Sequence, residues 1–278
     1  MRASRSFLAF VPLALLVACS SHPTVALLTD YGTSDAYVAE LKGAILTANP
    51  SASVVDLTHE VEAYDLREGA YLLSRAAAMF PSGTTFVVVV DPGVGTPRRP
   101  VAMRTATGKT FVGPDNGLFS LVMASDGPCE THELKETRFW RTPEPSTTFH
   151  GRDIFGPVAA HLAGGTPLSA VGPRVDDPVR VDFPAAKNDG GVLRGMVLHV
   201  DHYGNISTNV PAAMVTAKAY VVNGVVFPRA RTYGEVPVGA PVLVVDSIGS
   251  AELALNQKSL AATGNWRAGT TLTFEPVK

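Results

Sequence analysis

The chain has 278 residues and a net charge of −2, is 46% apolar and 17% charged, and contains two cysteines. No Lys/Arg-rich stretch accompanies that balance, which argues against nucleic acid as a partner. With one of the two cysteines in the leader described next, the remaining Cys129 can form neither an internal disulfide nor a Cys-based zinc site.

In chain order, Arg2 and Arg5 come first and precede an apolar run from Phe7 to Val17, the layout of a signal peptide. The run is too short for a bilayer-spanning helix, which needs roughly 20 residues. It ends in Leu16-Val17-Ala18-Cys19, and small residues before a cysteine resemble a bacterial lipobox. Residues 1–19 are therefore expected to be a lipoprotein signal peptide. Cys19 would carry the lipid, and the exported body would sit on a bacterial envelope membrane through that anchor alone.

Short β-branched runs then alternate with helical periodicity. Strands are expected at Thr24–Leu28, Ser53–Leu57 and Thr85–Val90, and helices at Ala36–Leu46, Leu66–Met79, Leu118–Ala124 and Ile154–Ala163. The four valines Val87–Val90 predict a strand buried on both faces. This alternation predicts a layered α/β domain with a mostly parallel central sheet over residues 23–178. Pro, Asp, Asn and Gly collect from Asp176 to Gly191, which places a linker at 179–190. Beyond it, Val192–Val200, Ala219–Val222, Val242–Val245 and Thr270–Phe274 read as strands between Gly and Pro turns. A smaller all-β domain, a sandwich or barrel, is expected over 191–278.

Polar loops that follow apolar strands lie at the rim of a sheet, where α/β proteins bind ligands. Asp30 follows the first strand; its carboxylate can accept two hydrogen bonds from a ribose diol, although an Asp near a glycine is also a turn former. In Val90-Asp91-Pro92-Gly93-Val94-Gly95-Thr96-Pro97-Arg98, the turn can fold Arg98 back onto Asp91. A surface turn with an exposed ion pair is the plainer reading of that segment. It lacks the Lys-Ser/Thr ending of a phosphate loop. His150 precedes the fourth helix on an expected exposed loop, free for proton transfer or water orientation, and Asp153 is expected to cap that helix.

In the second domain, Asn205 offers the donor and acceptor that an adenine edge requires, and Tyr203 offers a stacking face. His199 and His202 lie three apart on an extended strand and point to opposite faces, which argues against a metal pair. The turn Asp246-Ser247-Ile248-Gly249-Ser250 can hold a carboxylate on its backbone amides.

In order and spacing these five segments resemble the S-adenosylmethionine (SAM) hydroxide adenosyltransferase family, the SAM hydrolases related to fluorinating and chlorinating adenosyl enzymes. The resemblance runs from about Val25 to Phe274. It implies that water attacks the ribose C5′ of SAM to give adenosine and L-methionine, with no metal or redox cofactor. It also implies a homotrimer whose sites lie between the first domain of one subunit and the second domain of the next.

Asp30 matches the residue holding the ribose hydroxyls, Asp35 and Asp201 the carboxylates near the methionine ammonium, and Ser247 a group at its carboxylate. Tyr203 and Asn205 match the adenine contacts and Tyr233 a second aromatic wall, while Tyr64, Glu252 and Asn256 fall at further substrate-binding positions. Asp91, Arg98 and His150 match the triad that handles the attacking water, with Asp91 and His150 expected to orient it and accept its proton.

Fluorinating relatives have an aromatic residue at Asp91, a serine at Gly151, an insertion where Arg104–Gly113 forms a short hairpin, and an arginine at Ile248. A carboxylate at position 91 favours water over a halide, and Ile248 leaves the methionine carboxylate to amides near Ser247. Two other readings stay open: an exported binding protein that captures an adenosyl compound without cleaving it, and another nucleoside hydrolase.

Overall fold

The computed structural model describes residues 22–277, so the expected signal peptide and Cys19 lie outside the described residues. The first domain contains β1 (Thr24–Thr29), α1 (Tyr37–Ala48), β2 (Ser53–Thr58), α2 (Leu66–Ala77), β3 (Thr85–Val89), β4 (Pro100–Thr105), β5 (Thr110–Pro114), α3 (Ser120–Ser125), β6 (Cys129–Glu133) and α4 (Gly156–Ala163). Its sheet runs β2-β1-β3-β5-β4-β6, with β2, β1, β3 and β5 parallel and β4 antiparallel to both of its neighbours, β5 and β6.

The valine run shows how the layers form, because a strand sends alternate side chains to opposite faces. Val87 and Val89 pack with Leu41 and Ile45 of α1 and Val158 of α4. Val88 and Val90 pack with Leu73 of α2 and Val122 of α3. Burial of each such side chain is worth roughly 1.5–3 kcal/mol relative to exposure. The chain passes from β1 through α1 to β2 on one side, then through α2 to β3 on the other. The carboxyl ends of β1 and β3 therefore flank a topological switch point, the place where open α/β sheets leave a crevice. Asp30 follows β1 directly, and Asp91 follows β3 after Val90.

Several elements differ from expectation. The hairpin is longer than Arg104–Gly113, since β4 and β5 pair from Pro100–Pro114 inward. β6 reads Cys-Glu-Thr-His-Glu, without apolar alternation, yet it forms the sheet edge with Thr131 and His132 buried. Helix α3 starts two residues late because Leu118 and Phe119 serve as core anchors before it. The fourth helix begins as a π-helical turn over Gly151–Phe155, and the α-helix follows only from Gly156.

The second domain contains β7 (Lys187–Asp189), β8 (Val192–Val200), β9 (Ile206–Pro211), β10 (Ala219–Val222), β11 (Val225–Pro228), β12 (Pro241–Val245), β13 (Ser250–Leu255) and β14 (Thr271–Pro276). They form an antiparallel sheet in the order β11-β10-β14-β8-β9-β13-β12, with β7 on β8. An Arg229–Leu243 bridge brings the two outer strands together, so the sheet curls toward a barrel around Leu193, Val197, Phe227, Leu253 and Phe274. Between the domains the chain is fastened back onto the first one. Asp115 accepts from Val179 N at 2.8 Å, Ser120 Oγ from Val181 N at 2.8 Å, and Asp177 from Arg99 Nη1 at 2.7 Å.

Candidate active site

Beyond β3 the chain turns through Asp91–Thr96, closed by Val94 N to Asp91 O at 3.2 Å and Thr96 N to Gly93 O at 3.1 Å. Gly95 has φ +77° and lies against the Thr147 backbone, a place no side chain could occupy. The turn returns Arg98 to Asp91. Arg98 Nε donates to Oδ1 and Oδ2 at 3.0 and 3.1 Å, and Nη2 also donates to Oδ2. The two side chains are only 10% and 5% exposed, so this is a buried, charge-assisted fork and not a surface ion pair. The Phe155 ring lies 5.2 Å from the guanidinium carbon.

Arg98 Nη2 also meets His150 Nδ1 at 2.8 Å. A guanidinium can only donate, so Nδ1 is the acceptor and the ring hydrogen sits on Nε2. Burial, reinforced by the Arg98 charge, pushes the imidazole below its ordinary pKa and keeps it neutral at neutral pH. His150 therefore presents an N–H to the cleft it lines, and it can orient a water as a donor. The expectation that it also accepts the water's proton is corrected, because Arg98 holds its one basic nitrogen. Its setting differs too, since it is half-buried at the start of the π-turn and not on an exposed loop.

Asp153 fixes that turn, though not as a helix cap. It is fully buried and accepts from Arg141 Nε at 2.6 Å, Arg152 Nε at 2.7 Å and Ser146 N at 2.9 Å, reaching backward away from the helix. Burial opposes its ionisation, but the bonds from Arg152, Arg141 and the Ser146 amide outweigh it and hold the carboxyl well below the ordinary carboxylate range. A π-turn is uncommon and often marks a functional site.

Asp30 stands across the crevice, where its Oδ2 accepts from Tyr64 N at 3.1 Å. Tyr64 adopts φ +68°, a strained conformation for a residue with a side chain, which turns its amide to Asp30 and its ring outward at the cleft mouth. Burial raises the Asp30 carboxyl, two backbone amides pull it back, and the Asp91 charge adds to the rise. The cleft holds about 500 Å³. Its aromatic wall is Tyr31, Tyr37 and Phe149, packed edge to face with ring centres 5.5–6.1 Å apart. A Cβ at Gly151 would collide with the Tyr31 hydroxyl, so a serine there would displace that wall.

A second cleft of about 580 Å³ lies in the β domain, lined by Asp201, Tyr203, Asn205, Tyr233, Asn256 and Gln257 among others. Asp201 Oδ1 accepts from Tyr203 N at 2.9 Å and Asn205 N at 2.8 Å, and Oδ2 from Asn205 Nδ2 at 3.0 Å. The amide of Asn205 is thereby oriented, and its carbonyl oxygen is left as an acceptor. Tyr203 is 75% exposed. Tyr233 donates to Glu252 at 2.5 Å, and Asn256 Nδ2 donates to Val236 O at 2.7 Å.

The two clefts share no lining residue. Asp35 is exposed and lines neither, and Ser247 sits on the loop after β12, where it accepts from Arg75 Nη2 at 3.2 Å. The expectation that this loop offers its amides to a carboxylate is corrected for three of them, those of Ile248, Gly249 and Ser250. Ile248 N and Ser250 N donate to Asp246 Oδ1 at 3.0 and 2.9 Å, and Gly249 N to Asp246 O at 3.1 Å. His199 Nδ1 contacts Glu68 Oε1 at 2.6 Å and ties β8 to α2, while His202 packs edge-on to Tyr203. Sequence reasoning overlooked Tyr31, Phe149 and Arg75. The first two adjoin singled-out residues, but nothing local marks Arg75 as a partner of the β12 loop, since Asp246 and Ser247 lie about 170 residues away.

With this geometry in view, similarities to known proteins fall into place. Residues 25–172 match the model of the SAM hydroxide adenosyltransferase N-terminal domain, and residues 195–273 match that of the C-terminal domain. The chain is 42% identical to the (R)-S-adenosyl-L-methionine hydrolase of Thermus thermophilus, over 84% of this chain and 91% of that protein. It is 31% identical to a fluorinase of Actinoplanes sp., over 91% and 98%. A crystal structure of an uncharacterized conserved protein from Thermotoga maritima superposes with a TM-score of 0.85 at 36% identity, covering 90% of this chain and 99% of that one.

Proposed function

Because the chain belongs to the SAM hydroxide adenosyltransferase family, we propose that it hydrolyses SAM to adenosine and L-methionine. The observation that carries this reading is the buried Asp91–Arg98–His150 constellation at the switch point, opposite Asp30. Relatives 36–42% identical to this chain are named as hydrolases of this substrate.

In the proposed reaction a water oxygen attacks C5′ in line with the C5′–S bond. The C–O bond forms as the C–S bond breaks, its electron pair passes to sulfur, and methionine leaves as a neutral thioether. His150 Nε2–H orients the water, and Asp91, whose oxygens keep lone pairs beyond the Arg98 fork, receives its proton. In-line positioning contributes on the order of 7–11 kcal/mol. Asp30 holds the ribose diol through the oxygen that Tyr64 leaves free. A halide placed beside Asp91 would be repelled, on the order of several kcal/mol in a dry site, which favours water.

Adenine is assigned to the second-domain cleft, against Tyr203 and the free carbonyl of Asn205, with Tyr233 as a further wall and Asp201 toward the ammonium, while Asp35, outside both clefts, keeps its ammonium role only through the family resemblance. The family resemblance supports a homotrimer whose complete site lies between two neighbouring subunits, and it is consistent with this that the two clefts share no lining residue. Export and lipid attachment at Cys19 belong to the same proposal, and loss of membrane association in Cys19→Ala would support them.

The activity is tested by incubating the purified chain with SAM and separating products by chromatography. Adenosine and methionine in equal amounts support the reading. Free adenine indicates a nucleoside hydrolase, and retention of SAM without products indicates a binding protein; either outcome overturns it.

A further inference from the structure

The loop after β12 poses a chemical problem. Ser247 is assigned to the carboxylate of the amino-acid end, yet the amides of Ile248, Gly249 and Ser250 are all spent on Asp246. Ile248 brings no donor of its own beyond that amide. The cationic group that touches Ser247 is Arg75, in the last turn of α2.

Arg75 is held in place from behind. Nη1 donates to Tyr71 Oη at 3.0 Å and to Asp246 Oδ2 at 3.2 Å, while Nη2 donates to Ser247 Oγ at 3.2 Å. The helix that carries it is pinned to β8 by Glu68 and His199. A guanidinium has five N–H donors. Those bonds use three, leaving Nε–H and one Nη2 hydrogen without a partner among the described residues. The side chain is 31% exposed at the loop. The Asp246 carboxylate and the Arg75 guanidinium therefore meet at this loop, 3.2 Å apart. Carboxylates suit an ammonium, and a guanidinium beside a hydroxyl suits a carboxylate, so together they match a zwitterionic head group.

We propose that Arg75 is a specificity-determining residue that holds the substrate's amino-acid carboxylate at Ser247, supplying the charge that Ile248 cannot. The proposal rests on the hydrolase reading above and extends it to a residue outside both clefts.

The test compares SAM with decarboxylated SAM, which lacks only that carboxylate, in the wild type, Arg75→Gln and Arg75→Lys. A hydrogen-bonded charge is worth roughly a 10–100-fold preference, so wild type is expected to favour SAM by that factor in kcat/KM. Arg75→Gln should raise KM for SAM with little change in kcat, leave the decarboxylated substrate unaffected and bring the preference close to unity. Arg75→Lys, and Ile248→Arg added to Arg75→Gln, should each restore part of it.

A preference unchanged in Arg75→Gln, or an equal loss on both substrates, would mark a purely structural tie and overturn the proposal. Failure of the wild type to turn over either substrate would overturn the hydrolase reading itself, and this proposal with it.

Discussion

The two clefts are built on opposite principles. In the first, charged groups are buried and locked: Arg98 holds Asp91 in a fork and His150 in one tautomer, and Asp153 clamps the turn beneath them. In the second, the backbone turn is locked by Asp201 while the aromatic face of Tyr203 stands open, three-quarters exposed. Locked polar groups suit a reacting centre, where misplacement is costly, and open aromatic faces suit recognition by stacking.

The sharpest way to break this comparison is to remove function from each cleft separately and then mix the products. Asp91→Asn should lower kcat by about 10²–10⁴-fold with KM nearly unchanged. A Tyr203→Ala/Asn205→Ala double variant should lose substrate affinity instead. If the clefts meet across subunits, random assortment of the two in a cyclic trimer rebuilds about a quarter of the sites. Refolded mixtures should then regain activity that neither parent has. Activity no greater than the sum of the parents would show that each chain works alone.

A second test concerns the clamp. Asp153→Asn leaves Arg141 and Arg152 without their shared carboxylate, which should cost about 3–5 kcal/mol. Melting should fall by roughly 5–15 °C at neutral pH. Because the Asp153 carboxyl is held low in the folded chain, the unfolded chain takes up its proton first as pH falls. The stabilisation is thus full above the ordinary Asp value and is lost progressively as pH falls from there toward the depressed folded value, so the gap between wild type and variant should narrow steadily in acid. A gap that persists at low pH would mean that packing, and not charge, holds the turn.

The pH dependence of activity separates the clefts as well. Protonating His150 places a hydrogen on Nδ1 against Arg98, so activity should decline only as pH falls below the depressed His150 value, under the ordinary range for histidine. An acid limb centred at or above that ordinary range would contradict the Nε2–H tautomer.

The clefts also differ in how much of them the sequence discloses. The valine run and its Pro-Gly-x-Gly turn make Asp91 and Arg98 legible, because turn chemistry acts over a few residues and a strand fixes where its end lies. The alternation of strands and helices likewise discloses the layered sheet, and Gly and Pro spacing discloses the β domain. Burial is the part that stays hidden. Nothing in Cys129–Glu133 marks an edge strand, and Asp153 reads as a cap because the arginines that claim it approach from another direction. The loop at Ser247 reads as a nest of amides for the same reason, since a carboxylate at its start, Asp246, turns those amides inward. Arg75 is invisible to any local rule: its partnership with Ser247 exists only once the two domains have packed.

The smallest expected effect lies at the open face of the second cleft. Tyr203 rises from a turn whose geometry comes from Asp201 and from Gly204, at φ +80° and packed against Ser259, so removing the ring leaves the turn intact. Stacking is worth about 0.5–1.5 kcal/mol beyond area burial. Tyr203→Ala should therefore raise KM about 2–10-fold at constant kcat and leave melting unchanged, because an exposed ring supports no core. Tyr203→Phe should match wild type, since a stacking face needs no hydroxyl. A fall in kcat for Tyr203→Ala would mean that this open face also aligns the reacting carbon, and the division between a locked centre and an open recognition surface would no longer hold.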